Sequence, residues 1–375
     1  MIVRTFALSV LITLASLVVA FVYGGWSGLF ICTILGILEI SLSFDNAVMN
    51  ATVLERMSAF WQRIFLTIGV LIAVFGMRVL FPLVIVWATA GLNPAQALDL
   101  ALNPPNPETP DNPSYATIMT EAHPQIAALG GMFLLLIFLD YAFDGEREFW
   151  GRFVEHGLAR FGRIKHAAVI VALAVLLTAG AVTDAEERGT VLVAGLVGML
   201  AYLTIQGLTS LFDTGDPAPA ESADQVDTAG NPSGKGTRRT PVVVAGKAAF
   251  MLFLYLEMLD ASFSFDGVVG AFAITSDPIL IALGLGFIGA MFVRSLTVYL
   301  VRAGTLNEYR YLENGAHWAI GALATILLIS LKTEVNEVIS GLVGIAFIGA
   351  AMVSSIRANR AEQRARHDAE HADAT

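Results

Sequence analysis

The chain has 375 residues, 56% hydrophobic and only 14% charged, with a mean hydropathy of +0.69. Soluble domains carry about 25% charged residues, so this composition excludes an ordinary soluble globule. The net charge of -10 excludes nucleic acid as a partner, because phosphate binding needs clustered Lys and Arg.

In chain order, windows of about 20 apolar residues predict ten membrane-spanning helices. They lie near 5–23, 28–54, 62–90, 125–144, 166–183, 190–212, 241–274, 279–302, 316–332 and 337–356. The first resembles a signal peptide, but its apolar run is long and more spans follow, so it reads as a retained helix. Several windows exceed a straight crossing, so tilts or breaks are expected. The single cysteine, Cys32, offers no disulfide framework and no thiolate metal site.

Basic residues alternate between loops. Arg56 and Arg63 follow span two, Arg147 to Lys165 follow span four, and Lys235, Arg238 and Arg239 follow span six. Arg302 and Arg310 follow span eight, and Arg357 to Arg366 lie in the tail, whereas residues 91–124 have neither Lys nor Arg. The positive-inside rule then puts both termini in the cytoplasm of a cell-membrane protein, the inner membrane of a bacterial envelope. The Pro-, Gly-, Ser- and Asp-rich stretch 213–240 reads as a cytoplasmic linker between a first half, 1–212, and a second half, 241–358. A charged tail, 359–375, is expected to fray. The Pro-rich outer loop, with Asp99, Glu108, Asp111 and Glu121, reads as a solvated acidic surface.

Two segments repeat. LEISLSFDNAVM (38–49) aligns with LDASFSFDGVVG (259–270) at half of twelve positions, and Glu39 stands opposite Asp260. Each is followed by a span with a central arginine, Arg78 or Arg294. The copies lie in spans two and seven, so they cross in opposite senses, the inverted repeat of secondary transporters. The expected fold is an all-α polytopic membrane protein with about ten helices in two inverted repeats, the motif helices broken.

Carboxylates at mid-membrane cost roughly 2.5–3.5 kcal/mol each, so something must offset them. A divalent cation suits the oxygens on offer: Glu39, Ser43, Asp45 and Asn46 from one copy, and Asp260, Ser264 and Asp266 from the other. About six such oxygens fit octahedral Mn²⁺ or Mg²⁺. Glu39, Ser43 and Asn46 share one helix face while Asp45 points about 120° away, so convergence requires unwinding between Ser41 and Asn46. The bland reading pairs the acids with Arg78 and Arg294 as helix cement. Asp140 could line the inner pathway. Asp144 and Glu257 read equally as snorkelling acids. Glu313 and His317, at i and i+4, are a ligand-compatible pair or a local hydrogen bond. His367 and His371 belong to the tail. The chain has no phosphate-cradling glycine loop, HExxH or nucleophile elbow, so no enzyme chemistry or organic cofactor is expected.

Glu39-x3-Ser43-x-Asp45-Asn46 and Asp260-x3-Ser264-x-Asp266, each followed by an arginine-centred span, resemble the signature motifs of the TerC (tellurium-resistance) integral membrane family, grouped with LysE-type exporters. FLDYAFD (138–144) and YLENGAHWAIG (311–321) resemble segments of its uncharacterised subfamily. The resemblance implies export of Mn²⁺ as the substrate ion, supply of metal to secreted metalloproteins, and a part in tellurite resistance. It implies Glu39, Asp45, Asn46, Asp260 and Asp266 as ligands. Gly267 stands where that family has Ser or Asn, which removes one ligand. Ca²⁺ or Mg²⁺ transport and a metal-binding membrane scaffold remain the alternative readings. Lipid, a counter-transported proton and a second copy of the chain are the other partners to expect.

Overall fold

The computed structural model describes residues 2–103, 105, 107–109, 111–212, 243–275, 277–303, 309–333, 335 and 337–373. The predicted linker at 213–240 lies outside the described residues. Every regular element among the described residues is helical; the only β pairings are isolated bridges at Met57–Val244 and Thr109–Asn112. Hydrocarbon offers the backbone no hydrogen bonds, so each crossing must satisfy its own. Among the described residues, seven helices are long and apolar enough to cross a membrane: Thr5–Ile40, Ala59–Trp87, His123–Phe143, Arg188–Leu208, Pro278–Arg302, Leu312–Ser330 and Ile339–Arg364. Val22 and Trp26 are 80% and 77% exposed, a surface suited to lipid and costly in water. The protein is a multi-pass membrane protein.

The first element, α1 (Ile2–Leu42), covers both predicted spans one and two. It bends at Gly25, whose φ of 62° and ψ of -148° are closed to a residue with a Cβ. The limbs form a hairpin along the helix that begins at Pro278. Ser9 Oγ in the first limb donates to Met291 O at 2.7 Å, Ala20 and Cys32 pack near Leu280, and Glu39 in the second limb lies against Gly289.

A kink at Ser43 (φ -96°, ψ 15°) separates α1 from α2 (Phe44–Leu54), inside the interval where unwinding was expected. It is a single-residue kink, because Ser43 N still donates to Glu39 O and Ala47 N to Ser43 O. The second copy differs. It lies in a helix, Gly246–Ile274, that is continuous through the motif. The expectation of a break in both copies is therefore corrected: Gly267 serves close approach. A Cβ there would sit 2.9 Å from Glu39 Oε2.

The spans after the motifs share another feature. The first contains π-helical stretches Phe65–Gly69 and Ile72–Leu80, and the second contains Ala282–Gly289. Such widened turns are rare and cluster at functional sites. They loosen backbone carbonyls, and both arginines use them: Arg78 Nη1 donates to Ala73 O at 2.9 Å, and Arg294 Nε to Leu66 O at 2.8 Å. Behind the motifs, the helix His123–Phe143 is the buried centre of the main apolar cluster, with Phe133, Leu134 and Leu136 fully enclosed. The charged tail continues the last helix, Glu337–Asp373, as far as it is described.

Candidate functional site

The two motif helices run antiparallel. Asn46 meets Asp260 at one level, and Val53 and Leu54 meet Phe253 and Leu256 two turns further on. At the first level Asn46 Nδ2 donates to Asp260 Oδ1 at 2.6 Å. Glu39 joins the group from the other side of the kink. Its Oε1 accepts from Arg78 Nη2 at 2.5 Å and from Ser43 Oγ at 2.9 Å. Arg78 lies within electrostatic reach of Glu39 and Asp260 alike. One guanidinium therefore offsets two carboxylates contributed by separate halves of the chain.

Three oxygens of this group have no hydrogen-bond partner among the described residues: Asn46 Oδ1, Asp260 Oδ2 and Ser264 Oγ. Buried polar atoms are almost always satisfied, so a set of orphans at one place asks for a partner. Carboxylate, amide and hydroxyl oxygens are the donors a hard divalent cation prefers. No three His, Cys, Asp or Glu side chains converge in a metal-holding cluster among the described residues. The acids are instead mixed with amides and hydroxyls.

The other predicted residues separate. Asp45 is buried but points away from Asp260. Its Oδ1 accepts from Asn46 N at 3.0 Å, and a Cβ built on Gly344 of the last helix would lie 3.0 Å from its Oδ2. This is the 120° divergence of an ordinary helix, which a one-residue kink does not cancel. The side chain of Asp266 lies outside the described residues. Arg294 touches the Leu66 carbonyl, not an acid among the described residues, so its expected role as a carboxylate partner is corrected. Asp140 joins two helices, accepting from Tyr202 Oη at 2.5 Å and Gln206 Nε2 at 2.8 Å. His317 Nδ1 donates to the Glu313 carbonyl at 2.8 Å, so that pair is a backbone bond within one helix. The side chains of His367 and His371 lie outside the described residues.

Sequence reasoning missed two groups. Asn50 and Thr297 line one cavity with Glu257, Arg78, Asp260 and Arg294. Asn50 and Thr297 look ordinary in sequence; only the i+4 step from Asn46 to Asn50 could have flagged the first. The second group ties the 138–144 and 311–321 segments together. Tyr141 stacks on His317 with centroids 3.6 Å apart, and Phe138 meets Trp318 edge-on at 5.2 Å. Arg147 covers the other face of Tyr141 at 4.3 Å and pairs with Glu155 at 3.2 Å. Glu155, fully buried beside the membrane helices, also accepts from Trp150 N, Gly151 N and Trp318 Nε1. Burial pushes its carboxyl up, but the Trp318 indole, Arg147 and the Gly151 N–H outweigh that and hold it below the usual range. In the proline-rich loop region, Asp99, Asp111 and Glu121 line an open cavity of about 790 Å³. Glu108 accepts from the Thr117 hydroxyl and Ser114 N, and these bonds hold its carboxyl below the usual range.

No curated protein and no solved structure matches the chain. One family does, over residues 44–362, from the first residue after the Ser43 kink to the charged part of the last helix. The chain belongs to that family, which is described as Protein of unknown function (DUF475).

Proposed function

We propose that the protein is a secondary transporter that exports a divalent cation, Mn²⁺ above all, from the cytoplasm through the Glu39–Asn46–Asp260 group. The observation that carries this reading is the Asn46–Asp260 contact, which joins the two motif copies and leaves orphaned oxygens on both. The sequence repeat and the alternation of basic loops support ten spans in two inverted repeats, with both termini cytoplasmic in the inner membrane. The resemblance of both motifs to the TerC family supports Mn²⁺ as substrate.

Arg78 holds the charge of Glu39 while no cation is present. An arriving cation takes the orphaned oxygens of Asn46, Ser264 and Asp260 and competes with Arg78 for Glu39. Carboxylates freed of the cation can take protons, which makes a proton the natural counter-ion. No enzyme activity belongs to this reading. A membrane scaffold with a structural ion is the second reading, and the Arg78–Glu39 pair favours it, because it satisfies one acid without any flux.

Mn²⁺ movement into proteoliposomes separates the two. Transport predicts saturable flux that Asp260→Asn and Asn46→Ala both remove, with the variants still inserted. A protein that binds Mn²⁺ and never passes it, wild type included, supports the scaffold.

A further inference from the structure

We propose that a second oxygen site for the transported cation lies one helical turn from the Asn46–Asp260 contact, made by Asn50 Oδ1, Glu257 Oε1 and Asp260 Oδ2. The inference rests on the transport reading above and adds a station to its path.

Position comes first. Asn50 is four residues after Asn46, and Glu257 is three before Asp260, so each lies one turn along the same face of its helix. The helices are antiparallel, so the two steps go the same way, toward the end where Ser58 N donates to Val244 O. In the proposed topology that end is cytoplasmic.

The chemistry follows. Asn50 Oδ1, Glu257 Oε1 and Asp260 Oδ2 are all buried without a hydrogen-bond partner among the described residues. Asn50 and Asp260 are 2% and 7% exposed, so water on the surface does not explain their orphaned atoms. All three residues line one cavity of about 20 Å³, enough for a single water or a single cation. Two carboxylates and an amide carbonyl are donors for a hard divalent ion.

The neighbouring span is shaped for this. A Cβ on Gly69 would lie 2.5 Å from Glu257 Oε1, so only glycine lets the carboxylate reach its place. Gly69 closes the π-helical stretch Phe65–Gly69. Glu39 is seated in the same way against Gly289, which closes Ala282–Gly289. Each motif helix thus rests an acid on a glycine of the span that follows the other copy.

Arg78 and Arg294 line the same cavity. The Arg78 charge offsets Glu39 and Asp260 when no cation is present and weakens the hold on any cation that enters. A path needs such a station, because an ion must bind well enough to enter and weakly enough to leave. Asp260 is the hand-over ligand: it lines the cavity, its Oδ1 is on Asn46 and its Oδ2 is buried without a partner among the described residues.

The test measures equilibrium Mn²⁺ binding to the purified full-length protein and Mn²⁺ flux in proteoliposomes, for wild type, Glu257→Gln, Asn50→Ala and Gly69→Ala. The expected result is a maximal flux lowered about tenfold in each variant, with the affinity of the motif site kept within about twofold. Gly69→Ala leaves every ligand in the chain and crowds the Glu257 carboxylate first, at 2.5 Å, with the Phe65 ring next at 3.0 Å, so a loss of flux at unchanged thermal unfolding separates the site from a folding defect. Wild-type maximal flux in Glu257→Gln and Gly69→Ala overturns the second site and leaves the transport reading intact. A wild-type protein that neither binds nor moves Mn²⁺ overturns both.

Discussion

Arg78 Nη2 lies 2.5 Å from Glu39 Oε1, and both side chains are only 2% exposed. A pair this enclosed has traded its hydration for one partner, so removing either member strands a charge. Arg78→Gln should therefore cost about 3–5 kcal/mol of stability, and the Arg78→Gln/Glu39→Gln double variant should recover most of it. Unfolding in mixed micelles, run as a double-mutant cycle, measures the coupling. Additive losses would mean that the two residues act independently.

Gly267 of the second motif copy gives room to Glu39. A Cβ at 267 would come within 2.9 Å of Glu39 Oε2, while Oε1 is pinned by Arg78 and Ser43. The carboxylate cannot swing aside without breaking one of those bonds. Gly267→Ala should weaken Mn²⁺ binding about tenfold, and Gly267→Val should also lower stability by about 1–3 kcal/mol through overpacking. Binding titrations and thermal unfolding check the two effects separately.

Asp140 is held by Tyr202 and Gln206, which ties helix His123–Phe143 to helix Arg188–Phe212. This arrangement makes it a cross-link between helices. Tyr202→Phe removes the shorter bond, at 2.5 Å, and should cost about 1.5–3 kcal/mol, the usual worth of a hydrogen bond to a charged group. Mn²⁺ flux per inserted molecule should stay within about twofold of wild type. A large loss of flux at unchanged stability would return Asp140 to the pathway.

Much of the architecture is legible in the residues because lipid enforces it. Long apolar windows can only be helices, and a carboxylate among them demands a partner. That logic finds Glu39, Asp260 and Arg78 without a structure. It fails where one residue permits two geometries. Gly267 lies in a motif copy expected to break and proves to be a place of close approach; Gly25, between the first two apolar windows, proves to be the hairpin bend. Asp45 joins its neighbours only where a broken helix turns all its oxygens inward. The kink at Ser43 keeps its backbone bonds and leaves Asp45 facing Gly344. Arg294 lies beyond a π-helical stretch, whose register shift no hydrophobic pattern reveals. The burial of Glu155 is equally hidden, because its segment is as charged as any solvated loop.

Glu155 carries the acid sensitivity of the Arg152–Phe161 segment. Its carboxyl is held below the usual range against burial by Trp318, Arg147 and the Gly151 N–H. A group with a lowered folded-state pKa stabilises the fold above its unfolded value, about 4.3 for glutamate, and that stabilisation is lost as pH falls through the folded value. Wild-type protein should therefore lose thermal stability between about pH 5 and pH 3 in excess of any general acid effect. Glu155→Gln should be less stable at pH 7 and flatter over that interval, because it has no charge left to lose. Melting curves at several pH values, wild type against variant, decide it. Parallel curves would mean that Glu155 ionisation contributes nothing, and that Trp318 and Tyr141 hold the segment by packing alone.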